Sequence, residues 1–191
     1  MMDDTNEIRA FIAVEINDPV IVKNARDIQA QFQGESAGKL GRLKFVELEN
    51  MHITLKFLGN IDVATASKIN RIIQSLDTIP AAGFDITLAR VGQFGGRVLW
   101  VGIDDPASII KRTATRIDEE LSKQLDIPRE KRPFEGHMTL ARVKELFDRK
   151  RFMDTVARLK DAELGTQHVP AILLKRSQLT PKGPVYTTLT L

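Results

Sequence analysis

The sequence predicts an antiparallel α+β fold made of two similar lobes. The predicted elements run strand, helix, two strands, helix, two strands, helix, strand, helix and two strands, without the strict alternation of a doubly wound parallel sheet. Each half contains a long helix opened by Asp-Pro and, later, a strand that begins with histidine. Because no linker rich in proline or serine separates the halves, we expect one domain spanning residues 1–191, with two intertwined lobes.

The first half owes its predicted elements to alternating or helically spaced apolar residues. Asp18-Pro19 predicts a helix start, because aspartate caps helix N-termini and proline suits the first helical position. Asp62 predicts a second helix start for the same reason. The predicted strands cover 8–16, 43–46 and 51–58, the loop covers 34–41, and the second helix ends near residue 76.

The second half begins with a predicted hairpin of strands 84–91 and 97–103 around Gly92-Gln-Phe-Gly-Gly96. This glycine-rich turn is not a phosphate-binding P-loop, since it lacks the Gly-Lys-Ser/Thr ending and no helix follows. Asp105-Pro106 predicts the start of a third helix. The remaining predicted elements are a strand at 136–143, a helix at 148–161 and strands at 169–179 and 185–191.

Composition excludes several functional classes. The 191 residues are 42% hydrophobic and 28% charged, which is typical of a globular protein. Cysteine is absent, so disulfides, thiol nucleophiles and cysteine-ligated zinc or iron–sulfur sites are excluded. No window approaches the ~20 apolar residues of a membrane span. The acidic start of the chain does not resemble a signal peptide, and we expect a cytoplasmic protein that does not bind membranes.

The charge is unevenly distributed along the chain, although the net value is only +3. Residues 1–95 carry 10 Lys and Arg against 12 Asp and Glu, whereas residues 96–191 carry 18 against 13. A basic second half is compatible with an anionic partner such as phosphate or nucleic acid. An imbalance of this size is also common on ordinary solvated surfaces.

Two of the three histidines lie in nearly the same tetrapeptide, His52-Ile-Thr-Leu and His137-Met-Thr-Leu. A doubled motif built on so rare a residue is a much stronger signal than either copy alone. Residues i and i+2 of a strand face the same way, so each histidine is expected beside the threonine of its own motif. The sequence therefore predicts two His/Thr pairs, His52 with Thr54 and His137 with Thr139.

These residue types suit acid–base chemistry on a phosphodiester. Imidazole has a pKa of ~6.5, so one ring can be neutral while the other is protonated near neutral pH. Such a pair can supply a general base and a general acid. Each threonine hydroxyl can donate a hydrogen bond to a non-bridging phosphate oxygen.

A metal site is the alternative use of two histidines, but neither motif has a carboxylate at i+2 or i+4, and threonine is a poor ligand for zinc or iron. We therefore expect no metal and no cofactor. His168 precedes Val169-Pro170 and has no threonine at i+2, so a structural role is predicted for it.

The two motifs resemble the signatures of the 2H phosphoesterase superfamily. His52-Ile-Thr-Leu-Lys-Phe-Leu-Gly59 and Arg132-Pro-Phe-Glu-Gly-His137-Met-Thr-Leu-Ala-Arg142-Val are most similar to those of the RNA 2′,3′-cyclic phosphodiesterases, also called 2′-5′ RNA ligases or LigT-like proteins. Similarity extends to the first strand, 9–16, and the last hairpin, 177–186. The resemblance implies a bilobal α+β fold, with two pseudo-symmetric lobes of antiparallel sheet and outer helices around a central cleft.

The resemblance also implies roles for individual residues. His52 would be the proton donor to the leaving ribose oxygen, and His137 the proton acceptor that activates water. Thr54, Thr139 and Arg142 would bind the phosphate. Strict alternation from His137 places Arg142 on the opposite strand face, so a bulge or a strand end is needed to bring it into the site.

Phe11, Phe57 and Tyr186 are the candidates for stacking on an RNA base. Alternation from His52 predicts, however, that Phe57 packs in the core. Two positions depart from the family motif: Gly136 stands where these proteins often have proline, and Glu135 where many have a basic residue. Both departures lie beside the predicted site and concern substrate affinity more than chemistry.

We therefore predict a monomeric enzyme that opens RNA 2′,3′-cyclic phosphate ends to 2′-phosphates. The alternatives are formation of 2′-5′ linkages at the same site, by the reverse chemistry, and a non-catalytic module that binds RNA ends. Intact histidines favour catalysis over binding alone, because arginine serves phosphate binding better than a titrating imidazole. A small cyclic nucleotide, such as a cyclic phosphate of ADP-ribose, remains open as a substrate.

Overall fold

The computed structural model describes residues 7–33, 40–105, 107–181 and 183–190. The strands are β1 (Glu7–Glu15), β2 (Gly41–Phe45), β3 (His52–Asp62), β4 (Phe84–Phe94), β5 (Val98–Asp104), β6 (His137–Leu146), β7 (Glu163–Val169), β8 (Leu173–Thr180) and β9 (Gly183–Thr188). The helices are α1 (Pro19–Gln33), α2 (Val63–Gln74), α3 (Ile109–Leu125) and α4 (Arg149–Arg158), with a short 3-10 helix at Leu48–Asn50.

The strands form one antiparallel sheet in the order β7-β4-β5-β6-β3-β1-β8-β9, with β2 also paired to β6. At its centre, β3 and β6 are paired only at Ile53 and Met138. This narrow junction separates a first lobe (β1, β3, β8 and β9) from a second lobe (β2 and β4 to β7). The predicted α+β class with two antiparallel lobes is confirmed.

The two long helices cross between the lobes. Helix α1 follows β1 of the first lobe but packs on β6, β7 and α4. Helix α3 follows β5 of the second lobe but packs on β3 and α2. Their buried faces recur at three- and four-residue spacing, as in any amphipathic helix. The inward residues include Ile21, Ile28 and Phe32 in α1 and Ile110, Ile117 and Leu121 in α3. Each lobe therefore contains elements from both halves of the chain.

Two predicted helix caps, at Asp18 and Asp62, are formed as expected, and Asp148 caps a third helix. Asp18 accepts hydrogen bonds from the backbone N–H of Val20 and Ile21. Asp62 and Asp148 each accept from the N–H three residues later. These carboxylates satisfy N–H groups that have no partner inside the helix.

The start of α3 was predicted too early. Asp105 does accept from the Ile110 N–H, at 2.7 Å. A turn comes first, however, in which the Ser108 N–H donates to the Asp105 carbonyl, and the helix begins at Ile109. Pro106 lies outside the described residues, as does most of the predicted loop at 34–41.

The prediction also missed strand β7 and joined its last residue to β8. The reason is Gln167, which is buried at a position where alternation normally places an apolar residue. Its side chain accepts hydrogen bonds from the N–H groups of Asn17 and Asp18 and donates to the Glu15 carbonyl. This glutamine fixes the turn between β1 and α1. Because it is a polar residue at a buried position, it interrupts the alternation of apolar and polar residues by which the strand would be recognised.

No helix in the described ranges is long and apolar enough to cross a membrane.

Candidate active site

The two predicted histidines are the first residues of the two strands that meet at the centre of the sheet. The fully buried pair Ile53 and Met138 points to the core, so the residues on either side of each point to the opposite face. Continuing the antiparallel register by one residue each way places His52 opposite Thr139 and Thr54 opposite His137. The motifs are thus related by a local two-fold, and their polar side chains form a compact group across the junction.

Both imidazoles are oriented by the same backbone contact. His52 Nδ1 lies 2.6 Å from the carbonyl oxygen of Asn50, and His137 Nδ1 lies 2.7 Å from that of Glu135. Since a carbonyl can only accept, Nδ1 carries a proton in both rings. In each ring this leaves Nε2 as the atom that can take up or release a proton in catalysis.

A bulge in each strand changes which residues face the site. In β6 the extra residue is Leu140, because Thr139 and Ala141 pair with consecutive residues of β5. Arg142 then pairs with Val98 and lies on the same face as Thr139, as the predicted bulge requires. Its charge lies close enough to His52 and Tyr186 to affect both of their pKa values.

In β3 the extra residue is Leu55, which occupies the corresponding position. It places Phe57 on the face of Thr54, where 61% of Phe57 is exposed. The expectation that Phe57 packs in the core is therefore wrong. Strict alternation failed because both Leu55 and the next residue, Lys56, are buried.

A buried polar side chain stabilises each bulge. In the second lobe, Gln29 of α1 donates to the carbonyls of Leu140 and Val46. In the first lobe, Lys56 donates to Asp118 of α3 and to the carbonyl of Pro128. The two helices that cross between lobes therefore each supply a group that fixes one bulge.

His52 lies in the more enclosed half of the site. Its ring centroid is 4.9 Å from that of Phe11 and 5.2 Å from that of Tyr186. Burial lowers the pKa of His52, and the charges of Lys175, Arg142 and His137 lower it further, outweighing the hydrogen bond to Asn50, which raises it. The neutral ring is therefore favoured in the free protein.

Lys175 is a site-facing residue that sequence analysis missed. It pairs with Phe11 across β1 and β8 and is only 5% exposed. Its Nζ donates to Glu15 Oε1 at 2.7 Å, and Glu15 in turn is the β1 residue that pairs with His52. Nothing in the local sequence distinguishes this lysine from the other charged residues of a strand, because its contact joins positions 160 residues apart.

His137 lies in a more open and more aromatic environment. Its ring centroid is 5.0 Å from that of Phe94, nearly perpendicular to it, and 6.5 Å from that of Trp100. These residues also line a cavity of about 350 Å³. Sequence analysis did not predict that Phe94 and Trp100 lie beside His137. Phe94 belongs to the glycine-rich turn that was compared with a P-loop and interpreted as a simple hairpin turn.

The other predicted residues have different outcomes. Phe11 is only 4% exposed, so it supports the His52 ring and is not available to stack on a base. Tyr186 is half-buried against Phe11 and His52. His168 lies on β7 at the edge of the sheet and contacts Asp85, away from the site. Among the residues that the structure covers, no cluster of three or more His, Asp or Glu could bind a metal ion.

Comparison with known proteins identifies the family. Residues 17–100 and 105–186 match the family model described as LigT like Phosphoesterase. The chain belongs to this family. Both His-x-Thr motifs fall inside the matched segments, and the predicted resemblance is confirmed.

Curated relatives of this LigT-like phosphoesterase match over nearly its whole length. A Methanocaldococcus jannaschii protein named RNA 2′,3′-cyclic phosphodiesterase is 34% identical over 185 residues, covering 94% of this chain and 96% of that protein. One of the same name from Archaeoglobus fulgidus is 34% identical over 186 residues, covering 95% and 98%. The chain is therefore similar to a set of enzymes.

Solved structures share the fold. The crystal structure of TT0787 of Thermus thermophilus has a TM-score of 0.73 at 27% identity and covers 95% of each chain. The crystal structure of Escherichia coli LigT complexed with 3′-AMP has a TM-score of 0.70 at 21% identity, covering 96% of this chain and 95% of that one.

Proposed function

We propose that this phosphoesterase hydrolyses the 2′,3′-cyclic phosphate at RNA ends and leaves a 2′-phosphate. The names of its relatives support the substrate class. The observation that carries the proposal is the paired geometry of the two imidazoles. The rings lie at the start of adjacent strands, and in each ring the Nδ1–H donates to a backbone carbonyl, which leaves Nε2 for proton transfer.

The proposed reaction is an in-line displacement at phosphorus. His137 Nε2 takes a proton from water as the water oxygen bonds to phosphorus. The bond from phosphorus to the 3′ oxygen breaks, and His52 Nε2 gives its proton to that oxygen. Thr54, Thr139 and Arg142 donate hydrogen bonds to the phosphoryl oxygens, where charge increases in the transition state. A second turnover requires the two rings to exchange their protons with solvent.

The donor role of His52 depends on the substrate. In the free protein the pKa of His52 is lowered, which disfavours the protonated ring. A bound cyclic phosphodiester carries one negative charge, which favours the protonated ring by direct attraction. The substrate thus shifts His52 toward the form that the reaction consumes.

Both lobes are needed for this site, since each contributes one histidine, one threonine and one bulge. We therefore propose that residues 1–191 act as one domain. We also propose that the protein is a monomer and that it acts in the cytoplasm. Light scattering across a range of concentrations tests the oligomeric state, and a mass that rises with concentration would contradict it.

The decisive test is incubation with an RNA oligonucleotide that ends in a 2′,3′-cyclic phosphate, in the presence of EDTA. We expect a mass increase of one water, and a product that resists a phosphatase specific for 3′-phosphates. A 3′-phosphate product would reverse the assignment of the leaving oxygen. A rate that EDTA abolishes and zinc or manganese restores would favour the metal alternative.

The same incubation distinguishes the two alternatives to hydrolysis. A second oligonucleotide with a free 5′ hydroxyl would be joined in a 2′-5′ linkage if ligation dominates. Tight binding of the cyclic end without any turnover would indicate a non-catalytic module.

A further inference from the structure

Among the strands that the structure describes, β2 has no counterpart in the first lobe. It pairs with β6 on the side opposite β5, beyond the central junction. In the first lobe, β3 pairs with β1 on one side, and on its other side the described residues pair with it only at the junction of Ile53 and Met138. The face of the sheet that carries the two His/Thr pairs, which we call the site face, is therefore extended by β2 on the second lobe alone.

Strand β2 places a lysine beside Arg142 on the site face. Lys44 pairs directly with Arg142 across the two strands, so their Cβ atoms lie about 5 Å apart and both side chains point to the same face. Both residues are exposed. Neither side chain makes a hydrogen bond or an ion pair with any residue that the structure describes.

This pairing of two cations is unfavourable for the fold. Like charges directly opposite each other destabilise an antiparallel pair of strands. The neighbouring pair on the same strands has the usual arrangement, since Arg42 lies opposite Glu145 and forms an ion pair with it. Asp148, the next acidic residue along the chain, caps α4. An anion bound beside Lys44 and Arg142 would supply the negative charge that the protein does not.

A third exposed cation lies close by. The backbone N–H of Val143 donates to the carbonyl of Arg97 at 2.8 Å, so the backbone of Arg97 lies beside that of Arg142. Arg97 also makes no ion pair within the described ranges. In the first lobe, the residue that corresponds to Arg142 is Phe57, which pairs with Phe11. Positive charge is thus collected on the second-lobe side of the phosphate site.

The distance from the His/Thr pairs suits a second phosphate of the same strand. Thr139 and Arg142 pair with β5 residues that are two positions apart, so Arg142 and Lys44 lie about 7 Å further along the sheet than Thr139. This separation is of the order of the spacing between neighbouring phosphates in an extended single strand. An RNA end carries a phosphodiester just before its terminal nucleotide, whereas a free cyclic nucleotide does not.

We propose that Lys44 and Arg97 bind the backbone phosphate that precedes the terminal nucleotide of the RNA. The proposal rests on the proposed function, because it takes the terminal cyclic phosphate to lie at the two His/Thr pairs. Arg142 then lies between the two phosphates. The preferred substrate is therefore an oligonucleotide, and a small cyclic nucleotide is expected to be poorer because it lacks the second phosphate.

Two dinucleotides test the contribution of this charge by itself. Both end in adenosine 2′,3′-cyclic phosphate, and the internal linkage is a phosphodiester in one and an uncharged methylphosphonate in the other. We expect the wild-type kcat/KM to be about 2- to 5-fold higher for the phosphodiester, the usual range for an exposed ion pair. The preference should shrink as potassium chloride is added, because salt screens exposed charges. Equal rates on the two linkages at low salt would overturn the proposal.

Three variants locate the group that recognises the charge. Lys44→Gln should remove the preference for the phosphodiester. Arg42→Gln is the matched control on the same strand and should keep it, because Arg42 is already paired with Glu145. Arg9→Gln tests a competing position, since Arg9 is exposed and lies two residues before Phe11 on the site face of β1. If Arg9→Gln removes the preference and Lys44→Gln keeps it, the strand crosses the first lobe and the proposal is overturned.

Thermal unfolding distinguishes binding from a structural role. Lys44→Gln should unfold at the same temperature as the wild type or a higher one, because it relieves the repulsion with Arg142. A lower unfolding temperature, with equal loss of activity on both linkages, would show that Lys44 supports the fold and would overturn the proposal.

The outcomes also separate this subsite from the reaction. Calorimetry with the same two dinucleotides ending in a 2′-phosphate measures binding without turnover. Hydrolysis at equal rates on both linkages contradicts the subsite alone. Tighter binding of the phosphodiester, together with no hydrolysis of either cyclic end, contradicts the proposed function alone. Should Lys44→Gln not fold, the comparison of the two linkages in the wild type decides.

Discussion

The surroundings of His52 and His137 show how one backbone arrangement can serve two different purposes. In both lobes the histidine begins its strand, donates from Nδ1 to the carbonyl two residues earlier, and precedes a threonine and then a bulge. Around this shared frame the side chains differ. His52 is enclosed by Phe11, Tyr186 and a buried lysine, whereas His137 borders an aromatic cavity.

This difference indicates which properties depend on the backbone and which on the side chains. The repeated frame gives two imidazoles the same orientation and tautomer, which a symmetric phosphate site needs. The proposed acid–base catalysis also needs the two rings in opposite protonation states, which depend on the groups around each ring and on the bound substrate. The lobes are therefore alike in the backbone that carries the His/Thr pairs and unlike in the side chains that surround the two histidines.

The largest expected effect is the loss of either imidazole. His52→Ala and His137→Ala should each lower kcat by about 10²- to 10⁴-fold, because each removes one proton-transfer group. The matched control is His168→Ala, since His168 lies on the edge strand β7 and its ring hydrogen-bonds to Asp85. Steady-state kinetics with circular dichroism as a check on folding measures this. Near wild-type turnover in a folded His52 or His137 variant would rule out the paired mechanism.

The two bulges offer a test of the comparison itself. Arg142→Phe should lower kcat/KM by about 10²-fold, because it removes a charged donor to the phosphate. Phe57 stands at the corresponding place in the first lobe. The double variant Arg142→Phe/Phe57→Arg should recover about tenfold of that loss, since it returns a cation to the same face.

The control for this exchange is Arg42→Ala, an exposed arginine paired with Glu145 on the neighbouring strand, which should change kcat/KM by less than about twofold. No recovery in a folded double variant would show that the bulges do not present their residues equivalently.

A smaller effect is expected on the protonation of His52. Nuclear magnetic resonance titration should give His52 a pKa below the ordinary ~6.5, and added inorganic phosphate should raise it. Lys175→Gln should raise the pKa of His52 as well, because it removes a nearby positive charge and leaves Glu15 without its partner. A pKa for His52 at or above 6.5 in the free protein would contradict the assigned environment.

The smallest expected effect concerns the residue that fixes the second bulge. Gln29→Leu should cost about 1–3 kcal/mol of unfolding free energy, because it removes the buried side-chain donor to the carbonyls of Val46 and Leu140. The ratio kcat/KM should fall severalfold as Arg142 loses its fixed position, because Arg142 is proposed to stabilise charge in the transition state.

Gln31→Leu, on the exposed face of the same helix, is the control and should change stability by less than about 0.5 kcal/mol. Chemical denaturation and steady-state kinetics measure both variants. If Gln29→Leu behaves as Gln31→Leu does, Gln29 does not position the bulge.

The sequence was sufficient for the parts of the fold that rest on local chemistry. The carboxylates of Asp18 and Asp62 cap helices as predicted, and the repeated His-x-Thr motif predicted the central strands. The bulge before Arg142 was predictable only with the family resemblance, which implies this arginine at the site although strict alternation places it on the opposite face.

The failures share one physical cause, which is that contacts between distant residues override local pattern. From the sequence alone, Gln167 is typical of a polar loop residue. In the structure it is buried because it hydrogen-bonds to the backbone of Glu15 and Asn17. Alternation predicts Phe57 in the core. In the structure Lys56 is buried instead, because it pairs with Asp118, and Phe57 lies on the exposed face. The cavity beside His137 is lined by residues of β4, β5, the start of α3 and the segment before β6, so no single stretch of sequence reveals it.

The proposed roles of His52 as proton donor and His137 as proton acceptor are tested most directly by the pH dependence of kcat/KM in the variants that each lack one of these histidines. The wild type should give a bell-shaped profile, since one ring must be protonated and the other neutral. Residual activity of His52→Ala should lose the alkaline fall, because the proton donor is gone, and that of His137→Ala should lose the acidic fall. The opposite assignment of limbs would exchange the two roles, and an unchanged bell in either variant would contradict the two-histidine account.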